Sequence, residues 1–246
     1  MSKCVVRMEQ KIGKEQQEMK EKAMVLFSGG VDSTTCLGLA IERFGKESVI
    51  PLSIAYGQKH QKEVEAAKKI LGYYGLQGME LDLTPVFAYS NCSLLSHSNQ
   101  DIPQESYASQ LEGNQGTPVS TYVPFRNGLF LSCAASMALS VGCTCIYYGA
   151  HKDDAAGSAY PDCSEAFLTS MDSAVYEGSG KALRIIAPFI TCNKAQIVKE
   201  GLRLHVPYEL TWSCYEGSEH PCGRCATCLD RKKAFEANGV TDPYFS

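Results

Sequence analysis

A chain of 246 residues, 44% of them apolar, can bury a sizeable core without depending on disulfides. Its formal net charge of -4 and pI near 5.8 argue against a protein whose main task is gripping nucleic acid, without excluding small anionic ligands. No stretch approaches the roughly 18 consecutive apolar residues of a membrane span. Residues 1–22 alternate Lys, Glu and Gln with no apolar segment for a signal peptide, so they read as a charged extension outside the core. That absence, with 12 cysteines in a long chain, makes the cytoplasm the expected location.

The ordered pattern begins at Met24, where MVLFS predicts a buried strand ending in the small residues Ser28, Gly29 and Gly30. From Asp32 the spacing turns helical, with Cys36, Leu37, Ala40, Ile41 and Phe44 on one side, until Gly45 closes the segment. SVIPLSIAY predicts a second strand and residues 59–74 a helix with Val64, Ala67, Ile70, Leu71 and Tyr74 inward. MELDL predicts a third strand. Residues 84–120 are polar and without period, which in a compact domain marks a functional loop, here a candidate lid. Helices follow over 127–141, 163–176 and 194–204, with CIYYG and RIIAPF as strands between them.

Strand and helix alternating in this way predict an α/β fold: a parallel twisted sheet with helices on both faces and ligands beyond the strands' carboxyl ends. The expected organisation is a charged extension over 1–22, a nucleotide-binding α/β domain over 23–210 and a small cysteine-rich module over 211–246.

Residues 28–34, SGGVDST, lie between a predicted strand and a predicted helix. Glycines let backbone N–H groups converge on an anion, and a helix N-terminus adds positive potential, so the turn suits phosphate or pyrophosphate. The phosphate set runs from Leu26 and Phe27 through Ser28, Gly29, Gly30, Val31, Asp32, Ser33 and Thr34 to Thr35 and Cys36. Asp32 suits either a helix cap or a magnesium ligand. A bare Ser-Gly-Gly would be only a capped turn. The chain has no G-x-x-x-x-G-K-[ST] and no G-x-G-x-x-G, so neither a Walker-type NTPase nor a dinucleotide enzyme competes for it.

Cys214, Cys222, Cys225 and Cys228 have the spacing of a closed tetrahedral S4 shell, which suits structural zinc and also an iron–sulfur cluster. A redox C-x-x-C pair would use only two of these thiols, and His220 is an alternative fourth ligand. The remaining cysteines, mostly in apolar contexts, read as small buried hydrophobes.

Three further segments fall at predicted strand ends or helix starts: AYGQKH at 55–60, YVPFRN at 122–127, and GAHKDD at 149–154 with YPDC at 160–163. Together with SGGVDST, Lys194 and the four-cysteine tail, they make residues 24–235 resemble the 7-cyano-7-deazaguanine synthase family of PP-loop ATP pyrophosphatases. The resemblance implies conversion of 7-carboxy-7-deazaguanine and ammonia to the nitrile through adenylated intermediates, in queuosine and deazapurine biosynthesis. It implies ATP, Mg2+ and Zn2+ as cofactors and a homodimer; the acidic balance and the lack of an apolar span add the expectation of no nucleic-acid or membrane partner. Ser28, Asp32, Ser33, Arg126 and Lys194 would serve catalysis, the two cations facing phosphate or carboxylate. Tyr56, Arg126, Asp153, Tyr160 and Asp162 would bind the deazapurine, although Asp162 before a helix also reads as a cap. The family pattern favours glycine where Phe125 stands and arginine where Ser164 stands. A related ligase that stops at the amide, or joins the activated acid to another amine, even on a protein, is therefore the second expectation.

Overall fold

The computed structural model describes residues 21–59, 61–104, 118–156 and 159–245. His60, most of the charged extension and the centre of the candidate lid lie outside the described residues. The five strands are β1 (Ala23–Leu26), β2 (Val49–Ala55), β3 (Met79–Asp82), β4 (Cys145–Tyr147) and β5 (Arg184–Ile186), all parallel, in the order β3-β2-β1-β4-β5. Each expected strand is present. β1 is central and its residues are buried or nearly so, as a strand covered on both faces must be. Register follows Ala23 against Val49 on one side and Ala23 against Cys145 on the other.

The long helices are α1 (Val31–Phe44), α2 (Lys62–Tyr74), α3 (Arg126–Ser140), α5 (Glu165–Gly178), α6 (Lys194–Arg203) and α7 (Ala226–Glu236), with a single turn α4 (Lys152–Ala155). One apolar cluster gathers Met24, Leu52, Leu131, Ala134, Ile146 and Leu183 on one face of the sheet. A second gathers Val25, Leu37, Ala40, Ile70 and Ile197 on the other. The alternating side chains of β1 feed both, since Met24 and Val25 point to opposite faces.

Ser164 is the N-cap of α5, its side chain accepting from Phe167 N at 3.1 Å. Asp162 is therefore not the cap of the helix that follows it. Residues 84–104 are less open than their polar composition suggests: Phe87, Cys92, Leu94 and Leu95 are buried and cluster with Val123. Phe125 adopts the left-handed conformation (φ 54°) just before α3, and its ring stands edge-on to Phe167. The same ring lies where a β-carbon on Gly128 would be, 2.4 Å from its Cε1.

α7 packs on α6, and Ala234 and Phe235 join Val31, Val198, Val206 and Tyr208 in one cluster. Beneath it lies the fully buried Arg231, which donates to both Asp242 oxygens at 2.8 and 2.9 Å, to Thr211 Oγ1 at 2.7 Å and to Tyr208 O at 3.0 Å. Removing the guanidinium would strand a buried carboxylate, so Arg231→Ala is expected to cost about 3–5 kcal/mol. Chemical denaturation of the two proteins at neutral pH measures this directly.

Candidate active site

The strand order reverses at β1, whose neighbours β2 and β4 lie on either side, and the connections leaving them diverge to open a crevice at the carboxyl edge. From β1 the chain turns through Ser28, Gly29 and Gly30 into α1. Gly29 has φ 87°, and a β-carbon there would sit 2.6 Å from Ala67 N and 2.8 Å from Glu63 O. The turn is thus seated against the backbone of α2. Ser28 Oγ accepts from Gly30 N at 3.3 Å and lies 3.2 Å from Ser33 Oγ, while Trp212 N donates to Gly29 O at 3.0 Å. Gly30 is the N-cap, with no side-chain hydrogen bond closing the helix, so the first N–H groups of α1 are left for another acceptor.

Asp32 does not cap α1. Its Oδ2 accepts from Lys194 Nζ at 2.5 Å and lies 3.7 Å from His151 Nε2. Burial alone would raise the Asp32 pKa, but Lys194 and His151 outweigh it and hold the carboxyl below its usual range. His151 Nε2 is also 3.3 Å from Asp154 Oδ2. Burial raises Asp154, against the pull of His151. Lys194 opens α6, and its backbone N–H donates to Asp153 Oδ2 at 2.8 Å. Among the described residues, the buried Asp32 Oδ1 and His151 Nδ1 have no hydrogen-bond partner.

Across the crevice stands Arg126, the first residue of α3, its guanidinium 5.0 Å from the Tyr56 ring centroid and 6.0 Å from that of Phe130. Burial opposes its charge, yet Tyr56 and Asp162 more than compensate and keep it a cation. Burial pushes Tyr56 up to about 12 and Glu63 to about 7, the latter against the pull of Arg126. Tyr160 Oη lies 2.6 Å from Thr121 Oγ1.

A single cavity of about 1030 Å³ connects these two walls. Leu26, Phe27, Ser28, Gly30, Val31, Asp32 and Ser33 line it, as do Tyr56, Arg126, Asp153, Tyr160 and Lys194. Four candidates of the phosphate set are not brought to it. Gly29 is turned against α2, Thr34 Oγ1 donates back to Gly30 O at 2.7 Å, Thr35 Oγ1 meets Val31 O and Tyr208 Oη at 2.8 Å, and Cys36 is in the apolar core. Each helical step rotates about 100°, so successive side chains cannot all face one ligand.

Asp162 also lies off the cavity. Its Oδ2 accepts from Asn127 N at 2.8 Å, so it anchors the start of α3 behind Arg126. Glu63, His151, Asp154 and Asp230 line the cavity without having been singled out. GAHKDD at the end of β4 was the signal for two of them, whereas Glu63 and Asp230 sit in ordinary charged helix faces.

Near the C-terminus, the Sγ atoms of Cys214, Cys222, Cys225 and Cys228 all lie within 4.8 Å of one another. Cys214 Sγ accepts from Glu216 N at 3.4 Å and Cys222 N at 3.3 Å, and Cys222 Sγ from Cys225 N at 3.3 Å. Backbone donors aimed at sulfur favour thiolate, the form that binds a metal, so the four residues fit a closed S4 site able to take zinc. His220 is exposed and outside the cluster.

A family model described as "Queuosine biosynthesis protein QueC" matches residues 22–239. The chain belongs to the QueC family. Among curated relatives, the 7-cyano-7-deazaguanine synthase of Archaeoglobus fulgidus is 40% identical over 226 residues, covering 92% of this chain and 90% of that one. The protein of the same name from Nitratiruptor sp. is 42% identical, covering 92% and 99%. Two solved structures are similar in fold alone: NMN synthetase from Francisella tularensis (TM-score 0.50, 14% identity, 92% of this chain and 80% of that one) and the U34-tRNA thiolase NcsA from Methanococcus maripaludis (TM-score 0.50, 15%, 92% and 69%).

Gly29→Ala places a side chain at positive φ against fixed backbone and is expected to destabilise this QueC-family chain by about 1–2 kcal/mol or more. Gly72→Ala is the contrast. Gly72 is inside α2 with nothing within 4 Å of an added β-carbon, so it should be neutral or stabilise by up to about 1 kcal/mol. Urea midpoints of the two variants check both signs.

Proposed function

We propose that this chain is an ATP-dependent 7-cyano-7-deazaguanine synthase, converting 7-carboxy-7-deazaguanine and ammonia to the nitrile, as a cytoplasmic homodimer. The observation that carries the reading is the continuity of the cavity: the Ser28–Gly30 turn and the Arg126–Tyr56 wall face one space of about 1030 Å³, enough for a nucleotide and a bicyclic acid side by side. The names carried by relatives about 40% identical over nine-tenths of the chain supply the acid's identity.

A carboxylate is a poor electrophile. Its oxygen attacks the α-phosphorus of ATP, the bond to the bridging oxygen breaks, and pyrophosphate leaves toward Ser28, Gly30, Ser33 and the free N–H groups of α1. Lys194 stands beside Asp32 to meet the charge that develops on the leaving phosphates. Ammonia displaces AMP to give the amide; a second adenylation, on the amide oxygen, permits elimination to the nitrile. Asp32, whose buried Oδ1 has no partner among the described residues, fits an oxygen ligand of Mg2+, which would neutralise phosphate charge when bound. Tyr56 and Tyr160 are the aromatic walls for the deazapurine, Arg126 is the cation for its carboxylate, and Asp153 is an acceptor beside Lys194. No side chain forms a covalent intermediate, so positioning and charge account for the rate.

Mass spectrometry of the protein with ATP, Mg2+, 7-carboxy-7-deazaguanine and ammonium tests the reading. Nitrile and AMP should form in the unaltered protein and be lost in Asp32→Ala. Amide and AMP without nitrile would favour the ligase that stops early or uses another amine, and the absence of AMP would remove the substrate assignment.

Zinc in the four-cysteine site is a structural staple in this reading. Metal analysis should return one zinc per chain in a colourless protein, and Cys225→Ser should lose the metal and lower the thermal midpoint. A brown, iron-containing protein would replace zinc by a cluster.

A further inference from the structure

Glu63 occupies the first turn of α2, whose backbone carbonyl at the same residue is the surface against which Gly29 is packed. Its side chain lines the cavity on the wall shared with Arg126 and Tyr56. Among the described residues, no hydrogen bond or ion pair engages its carboxylate. The other acids of the cavity are differently placed. Asp32 is tied to Lys194 and His151, Asp153 accepts the N–H of Lys194, Asp154 faces His151, and Asp230 faces Lys194 and Lys233. Structural duty leaves Glu63 unused.

The amination chemistry requires a proton acceptor that no residue so far assigned supplies. We propose that Glu63 is the general base of the amination and dehydration steps, placed beside the phosphate turn to take protons from the incoming nitrogen. The inference rests on the adenylating reading above. Ammonia's lone pair forms the C–N bond at the acyl carbon while the carbonyl π pair moves to oxygen. Glu63 takes one N–H proton; the oxygen pair re-forms C=O and the C–O bond to AMP breaks. The carboxylic acid returns its proton to water.

After the amide oxygen is adenylated, with pyrophosphate leaving, two N–H protons remain. Glu63 takes them in turn, and loss of the second accompanies departure of AMP and formation of the C≡N bond. The groups facing Glu63 are the Arg126 guanidinium from α3 and the Tyr56 hydroxyl from the turn after β2. A carboxyl that titrates near 7 is matched to a base working at neutral pH.

The test separates the steps in full-length protein. Exchange of labelled pyrophosphate into ATP, driven by 7-carboxy-7-deazaguanine without ammonium, reads adenylation alone; single-turnover amide formation with ammonium reads amination. Glu63→Gln should leave exchange within about threefold of the unaltered protein and lower amide formation about 100-fold or more, and Glu63→Asp should restore part of it. With free ammonia held constant at each pH, amide formation in the unaltered protein should rise with pH through about 7, and Glu63→Gln should lose that limb. Amide formation within about threefold in Glu63→Gln, or equal loss of exchange and amination, overturns the assignment, the second result making Glu63 a binding or positioning residue. No exchange in the unaltered protein would instead overturn the adenylating reading, and the base with it.

Discussion

A sheet whose strands are all parallel must end every strand on the same edge, and β1 lies at the point where its order reverses. Everything the site needs follows from that arrangement. The turn after β1 delivers the glycines and Asp32, the turn after β2 delivers Tyr56, and the segment after β4 delivers His151, Asp153 and Asp154. The connection after β5 then returns α6, so that Lys194 meets Asp32 across 162 residues of sequence. The buried core on both faces holds these four chain ends in place while leaving the edge itself open.

Much of this was legible because α/β periodicity is strong and local. MVLFS followed by a helical pattern from Asp32 is enough to place a strand, a glycine turn and a helix N-terminus in sequence, and the turn's role follows from their order. The cysteines were equally legible, since spacing alone brings four thiols to one point. Direction was harder to read. Thr35 lies two residues beyond Ser33 and Asp162 next to Cys163, both of which line the cavity, yet they face Tyr208 and Asn127, because helix rotation and a short turn point them elsewhere. Glu63 was hidden for the opposite reason. A glutamate in KEVEAAKK looks like a solvated helix face until the packing of α2 against Gly29 is known. The apolar cluster of Phe87, Cys92, Leu94 and Leu95 left no period because irregular backbone buries side chains at irregular intervals.

The C-terminal residues reach the site through hydrogen bonds rather than through the sheet. Trp212 N holds Gly29 O, Trp212 Nε1 donates to Cys214 O at 2.8 Å, and Thr227 Oγ1 donates to Ser213 O at 2.7 Å. The four-cysteine cluster and the phosphate turn are thereby joined by a path of two residues, with the Arg231–Asp242 pair beneath it. A disturbance of the sulfur cluster has a short mechanical route to the glycine turn.

Phe125 and Gly128 form a smaller dependency at the mouth of α3. The ring of one fills the place where a β-carbon of the other would stand, and Phe125 sits in a backbone region that favours glycine. The dependence runs one way: a side chain at 128 requires the ring at 125 to swing aside or be removed, whereas glycine at 125 would meet no such obstacle. The order of substitutions at that corner therefore matters: glycine at 125 clears the way for a side chain at 128, and the converse does not hold.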